Sequence, residues 1–294
     1  MFYRRKILLA LIEVFGGQML STDLQKLLFA LSNRQKKKSY HFVPYKFGSF
    51  SFQAVADKSA LIKAGYLKNT DKWEITNKSL SIYNLLDPSD KIAINQIKTL
   101  YQNKLGKALV KDLYLKYPYY AINSEIVHEI LNAHEYLKVI EHKPKNFETA
   151  FFTIGYEGIS LEEFLNKLIQ NNVRLLCDVR KNALSKKYGF SKNQLKNACA
   201  GVHITYVHLP DLGIPSEERQ NLDNQDNYDE LFTWYEETIL PKQKEKLKEL
   251  FLLTRQYERV AITCFESCVN QCHRGRVSKI IQQLPGWNIP VYHL

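Results

Sequence analysis

The second half of the chain alternates short apolar runs with helical patterns, and this alternation most constrains the possible fold. The apolar runs that we interpret as strands are Phe151–Ile154, Leu175–Val179, Thr205–Leu209, Arg259–Thr263 and Pro290–Leu294. Between them, Ser160 and Ser191 precede helical patterns, and Glu163 and Gln194 follow three residues later, which predicts two capping boxes. Strands that alternate with helices form a largely parallel sheet with helices on both faces. We therefore predict an α/β domain over residues 147–294.

Polar side chains gather where these predicted strands end. They are Tyr156, Glu157, Asp178, Arg180, Tyr206, His208, Cys264 and Glu266. In open α/β sheets, ligands bind in the crevice outside the carboxyl ends of the strands. We expect these residues, although distant in sequence, to line one crevice.

The stretch after the fourth predicted strand begins a further helical pattern with a basic first turn. Cys272, His273, Arg274 and Arg276 stand at its start. A helix start offers free backbone N–H groups and the positive end of the helix dipole, which favour an anion. A histidine and two arginines at this point therefore predict a site for a negatively charged group, such as phosphate.

Each candidate residue has a predicted role. Ligand or phosphate binding is expected of Tyr156, Arg180, Tyr206, His208, Cys264, His273, Arg274 and Arg276. Catalysis is expected of Glu157, Asp178 and Glu266 as acid, base or stabilising charge, and of Cys272 as a thiolate nucleophile beside His273. Paired carboxylates beside stacking aromatic rings suit cleavage or transfer at an N-glycosidic bond, by chemical analogy with glycoside hydrolysis. The alternatives are that Asp178 pairs structurally with a nearby arginine, and that the cysteines are simply buried.

The cysteines and the histidine of this stretch raise the question of a metal. Three residues separate Cys264 from Cys268, and three more separate Cys268 from Cys272, which His273 follows. These four residues could hold zinc or iron, but their spacing is not a standard zinc pattern. We predict neither a metal nor a cofactor.

The same motifs resemble the domain-of-unknown-function family number 488 over about residues 151–284. The matching segments are Ile154–Gly158, Asp178–Arg180, Gly189–Ser191, Tyr206–Pro210, Leu212–Gly213, Cys264–Glu266 and Cys272–Arg274. Two features depart from the family pattern: Lys181-Asn182 stands where a proline is usual, and Cys268 is not a family position. The family has no established reaction, so the resemblance implies a shared domain and site without naming its chemistry.

The first half of the chain is basic, whereas the second half is almost neutral. Residues 1–150 contain 23 Lys+Arg against 13 Asp+Glu, so they account for +10 of the total net charge of +11. Such an asymmetry suggests that one half meets a polyanion.

The first half also has the pattern of a winged helix. Three helical patterns precede a predicted hairpin formed by Tyr66-Leu67 and Trp73–Ile75, which predicts a basic winged-helix-like module over residues 1–78. Residues 79–146 read as a second helical unit or a linker bundle. We expect duplex DNA to contact Arg34, Lys36, Lys37, Lys38 and Lys46 through its phosphates. The alternative for each cation is a solvated surface.

This module resembles the amino-terminal modules related to Panacea and SocA-like antitoxins. The matching residues are Lys26–Phe29, Phe42–Ser51 and Ala64–Leu67. Some such modules recognise protein partners instead of DNA, so the resemblance also implies that a protein partner is possible.

The remaining composition narrows the class of protein. The five cysteines are an odd number, and neither a signal peptide nor a long apolar run is present, so we expect a cytoplasmic protein without membrane contact. Together these observations predict a DNA-associated protein whose α/β domain binds a nucleotide or another phosphate-bearing group and catalyses hydrolysis or transfer on it. The alternatives are a ligand-responsive DNA-binding regulator, and an interaction protein of a toxin–antitoxin or phage-defence system, neither of them catalytic.

Overall fold

The computed structural model describes residues 1–76, 81–219, 222 and 224–294, and the chain divides into two compact units. The first unit is Met1–Lys143 and the second is Pro144–Leu294. The boundary predicted between residues 78 and 79 lies outside the described residues. Within the part of the chain that the structure describes, no helix has the length and apolar character needed to cross a membrane.

The first unit is mainly helical. Its elements are α1 (Tyr3–Val14), β1 (Gln18–Met19), α2 (Ser21–Ser32), β2 (Val43–Tyr45), β3 (Gly48–Phe50), α3 (Phe52–Lys63), β4 (Trp73–Glu74), α4 (Pro88–Tyr101), α5 (Lys107–Lys116), α6 (Val127–Ile130) and α7 (Ala133–Glu141). Strand β1 pairs antiparallel with β4, and β2 pairs antiparallel with β3. Leu67 and Ile75 form an antiparallel bridge, as expected of the predicted hairpin.

One apolar core runs through α1, α2, α4 and α5. Helix α2 lies at its centre, with Leu27 and Leu28 fully buried. Ile97 of α4 and Leu109 of α5 join the same core, so residues predicted to form a separate helical unit or a linker bundle pack against the amino-terminal helices.

Buried polar contacts join α2 to the segment that leads from β3 into α3. Lys26 Nζ donates to the carbonyl of Ser49 at 2.8 Å. Gln25 exchanges hydrogen bonds with the backbone of Ser51, with N···O distances of 3.2 and 2.9 Å. Burial lowers the pKa of Lys26 to about 7, and the charge of Asp23 opposes this effect. Lys26 and Gln25 therefore hold α2 against the β2–β3 hairpin and the residue that follows it.

The second unit is an α/β domain, which confirms the predicted fold class. Its elements are β5 (Ala150–Gly155), α8 (Leu161–Gln170), β6 (Leu175–Asp178), α9 (Lys192–Ala200), β7 (Thr205–His208), α10 (Gln225–Thr238), α11 (Lys244–Tyr257), β8 (Arg259–Cys264), α12 (His273–Ile281) and β9 (Val291–His293). The five strands form one sheet in the order β7-β6-β8-β5-β9, and every pairing is parallel. Strands β5, β6 and β8 are buried along their whole length, as expected of strands covered on both faces.

One predicted capping box is present and the other is not. Ser160 Oγ accepts from the Glu163 N–H at 3.2 Å, and Glu163 Oε2 accepts from the Ser160 N–H at 2.8 Å. Ser191 makes no such bond to its helix. Its hydroxyl instead exchanges hydrogen bonds with the backbone of Ser185, both at 3.1 Å, and Gln194 Oε1 accepts from the Gly189 N–H. The second prediction was wrong because the loop before α9 competes for both side chains.

Candidate functional site

Three strands of the second unit end level with one another at a cavity of about 430 Å³. Gly155 at the end of β5 pairs with Cys264 at the end of β8, and Asp178 at the end of β6 pairs with Thr263. The lining residues follow these strands or belong to the segment after β7; they are Tyr156, Arg180, Lys181, Asn182, Leu184, Ser185, Lys186, Ile214, Ser216, Arg219, Cys264, Phe265 and Glu266. The structure thus brings Tyr156, Arg180, Cys264 and Glu266 of the predicted site together.

Asp178 lies behind this lining in a buried ion pair. Arg180 Nε lies 2.8 Å from Asp178 Oδ1, and Arg180 Nη2 lies 2.5 Å from Oδ2. The hydroxyl of Tyr206 donates to Oδ2 at 2.7 Å, and Arg180 Nη1 donates to the hydroxyl of Tyr156 at 2.6 Å. Burial, followed by the charge of Asp178, raises the pKa of Tyr206. The observed geometry of Asp178 is that of the alternative given in the sequence analysis, a carboxylate that pairs with a nearby arginine.

His208 and Gly213 support the backbone that follows β6. His208 Nε2 donates to the carbonyl of Arg180 at 2.9 Å. A Cβ atom at Gly213 would lie 2.1 Å from the backbone nitrogen of Lys181, so only glycine allows this approach. The Tyr-Val-His-Leu-Pro and Leu-Gly segments therefore shape one wall of the cavity.

Glu157 and Arg274 hold the loop that follows β8. Glu157 Oε2 accepts from both the N–H and the hydroxyl of Ser267 at 3.0 Å. Arg274 is 1% exposed; its Nη1 donates to the carbonyl of Glu266 and its Nη2 to the carbonyl of Ser267, the latter at 2.8 Å. A Cβ atom at Gly155 would lie 1.8 Å from the same Glu266 carbonyl. These contacts occupy the terminal nitrogens of Arg274 that were predicted to hold phosphate.

Two further predicted ligand residues have other neighbours. Arg276 lies 3.6 Å from Asp229 and 3.5 Å from Glu236, both on α10, and its guanidinium lies 4.9 Å from the ring centroid of Phe232. Tyr156 stacks on Phe190 with the ring centroids 4.2 Å apart, so this face of its ring is already covered. The structure thus directs Arg276 towards α10 and buries the ring that was predicted to stack on a base.

A buried sulfur and imidazole cluster lies beside the cavity. Cys264 Sγ lies 3.5 Å from His273 Nδ1 and 3.3 Å from Glu266 Oε2. His273 Nε2 donates to the carbonyl of Val179 at 2.9 Å. Burial opposes ionisation of Cys264, but the hydrogen bond with Cys272 and the charge of His273 outweigh it and lower the pKa of Cys264 well below its ordinary value. Burial and the neighbouring Cys264 raise the pKa of Cys272. These opposite shifts favour ionisation of Cys264 over that of Cys272, the cysteine that the sequence pattern suggested as a nucleophile.

Sequence reasoning missed several of the lining residues. Arg219 pairs with Glu266 across 47 residues of sequence, which no local pattern reveals. Phe265 is 42% exposed, and its ring meets Tyr156 edge to face with the centroids 5.3 Å apart. Lys181 and Lys186 belong to a basic run that follows the Asp-Val-Arg triplet, and this run is the signal that would have identified them.

The residues predicted to bind nucleic acid lie on the first unit. Lys36, Lys37 and Lys38 line a cavity of about 480 Å³ that also includes carboxylates of the segment before and within α4. Arg34 Nη1 donates to the carbonyl of Ala30 at 3.3 Å. Lys46 is half-exposed and lies 3.6 Å from Glu125. These contacts do not test DNA binding, which stays a prediction for these five residues.

Comparison with known proteins identifies the second unit. Residues 160–281 match the family described as Domain of unknown function DUF488. No curated protein and no solved structure matches the chain. The match runs from the capping serine of α8 to the end of α12, and it includes the Asp178-Val-Arg180 and Cys272-His-Arg274 segments. The chain therefore carries a DUF488 domain.

Proposed function

We propose that the α/β unit binds a nucleotide, or a phosphate-bearing group of a nucleic acid, in the cavity at the strand ends and catalyses hydrolysis or transfer on it. One observation carries the proposal: the cavity is lined by four cationic side chains, whereas Glu266 is the one carboxylate among the described lining residues. The cations are Arg180, Lys181, Lys186 and Arg219. An excess of positive charge in a cleft at the carboxyl ends of parallel strands favours an anionic ligand.

The cations differ in how firmly they are engaged. Arg180 forms an ion pair with Asp178, and Arg219 forms one with Glu266. Lys181 is half-exposed, and its Nζ lies 3.7 Å from Asp211, a separation at which an exposed pair contributes little. We therefore assign phosphate contact to Lys181 and Lys186, with the guanidinium of Arg219 released to the ligand when it enters.

A base can be accommodated at the rim of the same cavity. Phe265 is substantially exposed there, and exposed aromatic rings stack on bases with little sequence preference. This assignment replaces Tyr156, whose ring already stacks on Phe190. A phosphate site beside an exposed aromatic ring supports a nucleotide in preference to a simple phosphate ester.

Glu266 is the acid–base group of the proposed reaction. Its Oε2 lies 3.3 Å from Cys264 Sγ, and both residues line the cavity. A carboxylate at this point can stabilise the positive charge that develops when an N-glycosidic bond breaks, which is the reaction that we favour. Glu157 and Asp178 are not assigned this role, because neither lines the cavity and their carboxylates bind Ser267 and Arg180.

The hydrogen bonds already made by the candidate carboxylates also favour a second function, ligand binding without catalysis. Ser267 binds the carboxylate of Glu157, Arg180 binds that of Asp178, and Arg219 binds that of Glu266. With every candidate carboxylate already paired, the cavity can bind a nucleotide without catalysing a reaction on it. In that case the α/β unit senses an anionic ligand, and the basic first unit responds on duplex DNA.

The decisive experiment incubates the full chain with modified and unmodified DNA and with a panel of nucleotides, and follows the products by mass spectrometry. We expect Glu266→Gln to abolish product formation while the nucleotide still binds, and Lys186→Ala to weaken nucleotide binding. Lys196→Ala is the matched control, because Lys196 is an exposed lysine of α9 outside the cavity lining. Nucleotide binding without any product, together with a change in DNA affinity, would establish the sensor instead. If nothing in the panel binds or reacts, the proposal is wrong.

A further inference from the structure

Three side chains beside the cavity have the chemistry and spacing of a metal site. The ligand atoms of Cys264, Cys272 and His273 all lie within 4.8 Å of one another, and the three residues are buried. The Cys264 Sγ to His273 Nδ1 distance is 3.5 Å. Around a tetrahedral zinc ion with Zn–S and Zn–N bonds of about 2.3 and 2.0 Å, sulfur and nitrogen ligands lie roughly 3.5 Å apart.

The imidazole is held in the orientation that a metal ligand requires. A backbone carbonyl only accepts hydrogen bonds, so His273 must carry its ring hydrogen on Nε2 to donate to Val179 at 2.9 Å. In neutral imidazole this places the free lone pair on Nδ1, which faces Cys264. Metal-binding histidines are oriented in this way, with the second ring nitrogen bonded to a carbonyl or carboxylate.

We propose that Cys264, Cys272 and His273 bind one zinc ion. Two thiolates and an imidazole are the soft and borderline donors that select zinc over magnesium or calcium. Two thiolates also balance the charge of the ion, so the bound cluster is neutral in a buried place where net charge is costly.

The spacing of the ligands explains why the sequence analysis raised these residues but predicted no metal. The middle cysteine, Cys268, is exposed, whereas Cys264 and Cys272 are buried. The ligands come from the end of β8 and the start of α12, so the intervening loop separates them in sequence while the fold brings them together.

The number of ligands suggests a role for the ion. Structural zinc sites use four protein ligands, whereas catalytic sites use three and leave a position for water or substrate. The described residues supply three ligands here, and Glu266 lies beside Cys264 on the cavity lining. Resting on the proposed function, this arrangement assigns the ion to activation of a water molecule, with Glu266 accepting its proton. The metal site itself does not depend on that assignment.

Metal content tests the site without any assay of activity. The full chain is purified under reducing conditions from zinc-supplemented cells, and bound metals are measured by plasma mass spectrometry. We expect about one equivalent of zinc. Zinc affinity is measured by competition with a chromophoric chelator. Loss of a hydrogen-bond partner of a metal ligand already costs up to about 100-fold, so we expect a fall of at least about 100-fold in Cys272→Ser and in His273→Ala. Cys268→Ser is the matched control, and it should retain the zinc affinity of the wild type.

A spectroscopic measurement on the wild-type chain tests the site even if the variants fail to fold. Co²⁺ that replaces zinc should give sulfur-to-cobalt charge-transfer bands in the near ultraviolet and visible bands typical of tetrahedral coordination. The site would be overturned by absence of these bands or by equal zinc binding in folded Cys272→Ser. A wild-type dissociation constant for zinc weaker than about 1 µM would overturn it too, because it falls short of the free energies with which protein sites bind zinc. Another metal in place of zinc would overturn the assignment of the ion. A chain that binds zinc but has no activity on nucleotides would refute the proposed function and leave the metal site standing.

Discussion

Arg180 and Asp178 form a two-point ion pair at the end of β6, with Nε–Oδ1 and Nη2–Oδ2 distances of 2.8 and 2.5 Å. The side chains are 6% and 0% exposed. Sequence reasoning assigned the arginine to phosphate and the carboxylate to catalysis, yet in the structure each neutralises the other. Arg180 therefore lines the cavity while Asp178 lies behind it and holds the guanidinium in place.

Removing the charge of Asp178 should destabilise the second unit. Asp178→Asn leaves Arg180 as a buried, unpaired cation, so we expect the free energy of unfolding to fall by about 3–5 kcal/mol. Urea unfolding measures this change, and Glu217→Gln, an exposed carboxylate near the same cavity, is the control. A variant of wild-type stability that has lost its activity would instead support direct catalysis by Asp178.

Arg274 should matter more for stability than Arg276, although both belong to the first turn of α12. Arg274→Lys replaces the two nitrogens that bind the carbonyls of Glu266 and Ser267 with a single one, and we expect a loss of about 2–3 kcal/mol. Arg276→Lys keeps its charge near Asp229 and Glu236 and should cost less than about 1 kcal/mol. Thermal unfolding of the two variants compares them directly. Equal losses would contradict the structural role of Arg274.

Stability should rise with pH because of Lys26. Its pKa is about 7 in the folded chain and 10.5 in the unfolded chain, so between these values the unfolded chain binds more protons. The free energy of unfolding should therefore increase from pH 7 to pH 9, by up to about 1.4 kcal/mol per pH unit. Below pH 7 both states are protonated, and the contribution becomes constant.

Lys26→Met should remove most of this increase, because methionine fills a similar volume without a titrating group. Urea unfolding at pH 7, 8 and 9 provides the comparison. Lys63→Met, at an exposed lysine of α3, should keep the slope of the wild type. The same slope in Lys26→Met as in the wild type would show that other groups cause it.

Duplex DNA should bind the chain with a strong dependence on salt. If Lys36, Lys37 and Lys38 each contact a phosphate, their joint replacement by alanine should reduce the slope of log K against log salt by about 2.7. Fluorescence anisotropy over a salt series measures it. Replacement of the exposed residues Lys98, Lys104 and Lys107 removes the same charge and should have a smaller effect. A flat response to salt in the wild type would count against any phosphate contact.

The arrangement of strands and helices was largely predictable from the sequence, because periodicity is a local property. Buried apolar runs and the caps between them were enough to predict the α/β unit. The capping box at Ser160 was also predictable, since its partner Glu163 is three residues away. The capping box at Ser191 was not, because Ser185 in the preceding loop binds the same hydroxyl.

The sequence by itself determined the parallel sheet, the ends of its strands and the set of polar residues placed there. Only the tertiary structure decided which of those residues bind one another. Arg219 reaches Glu266 from another loop, and Cys264, Cys272 and His273 come together only when β8 and α12 are packed. Pairing depends on distances and directions between elements that are remote in sequence, and hydrophobic periodicity carries no information about either.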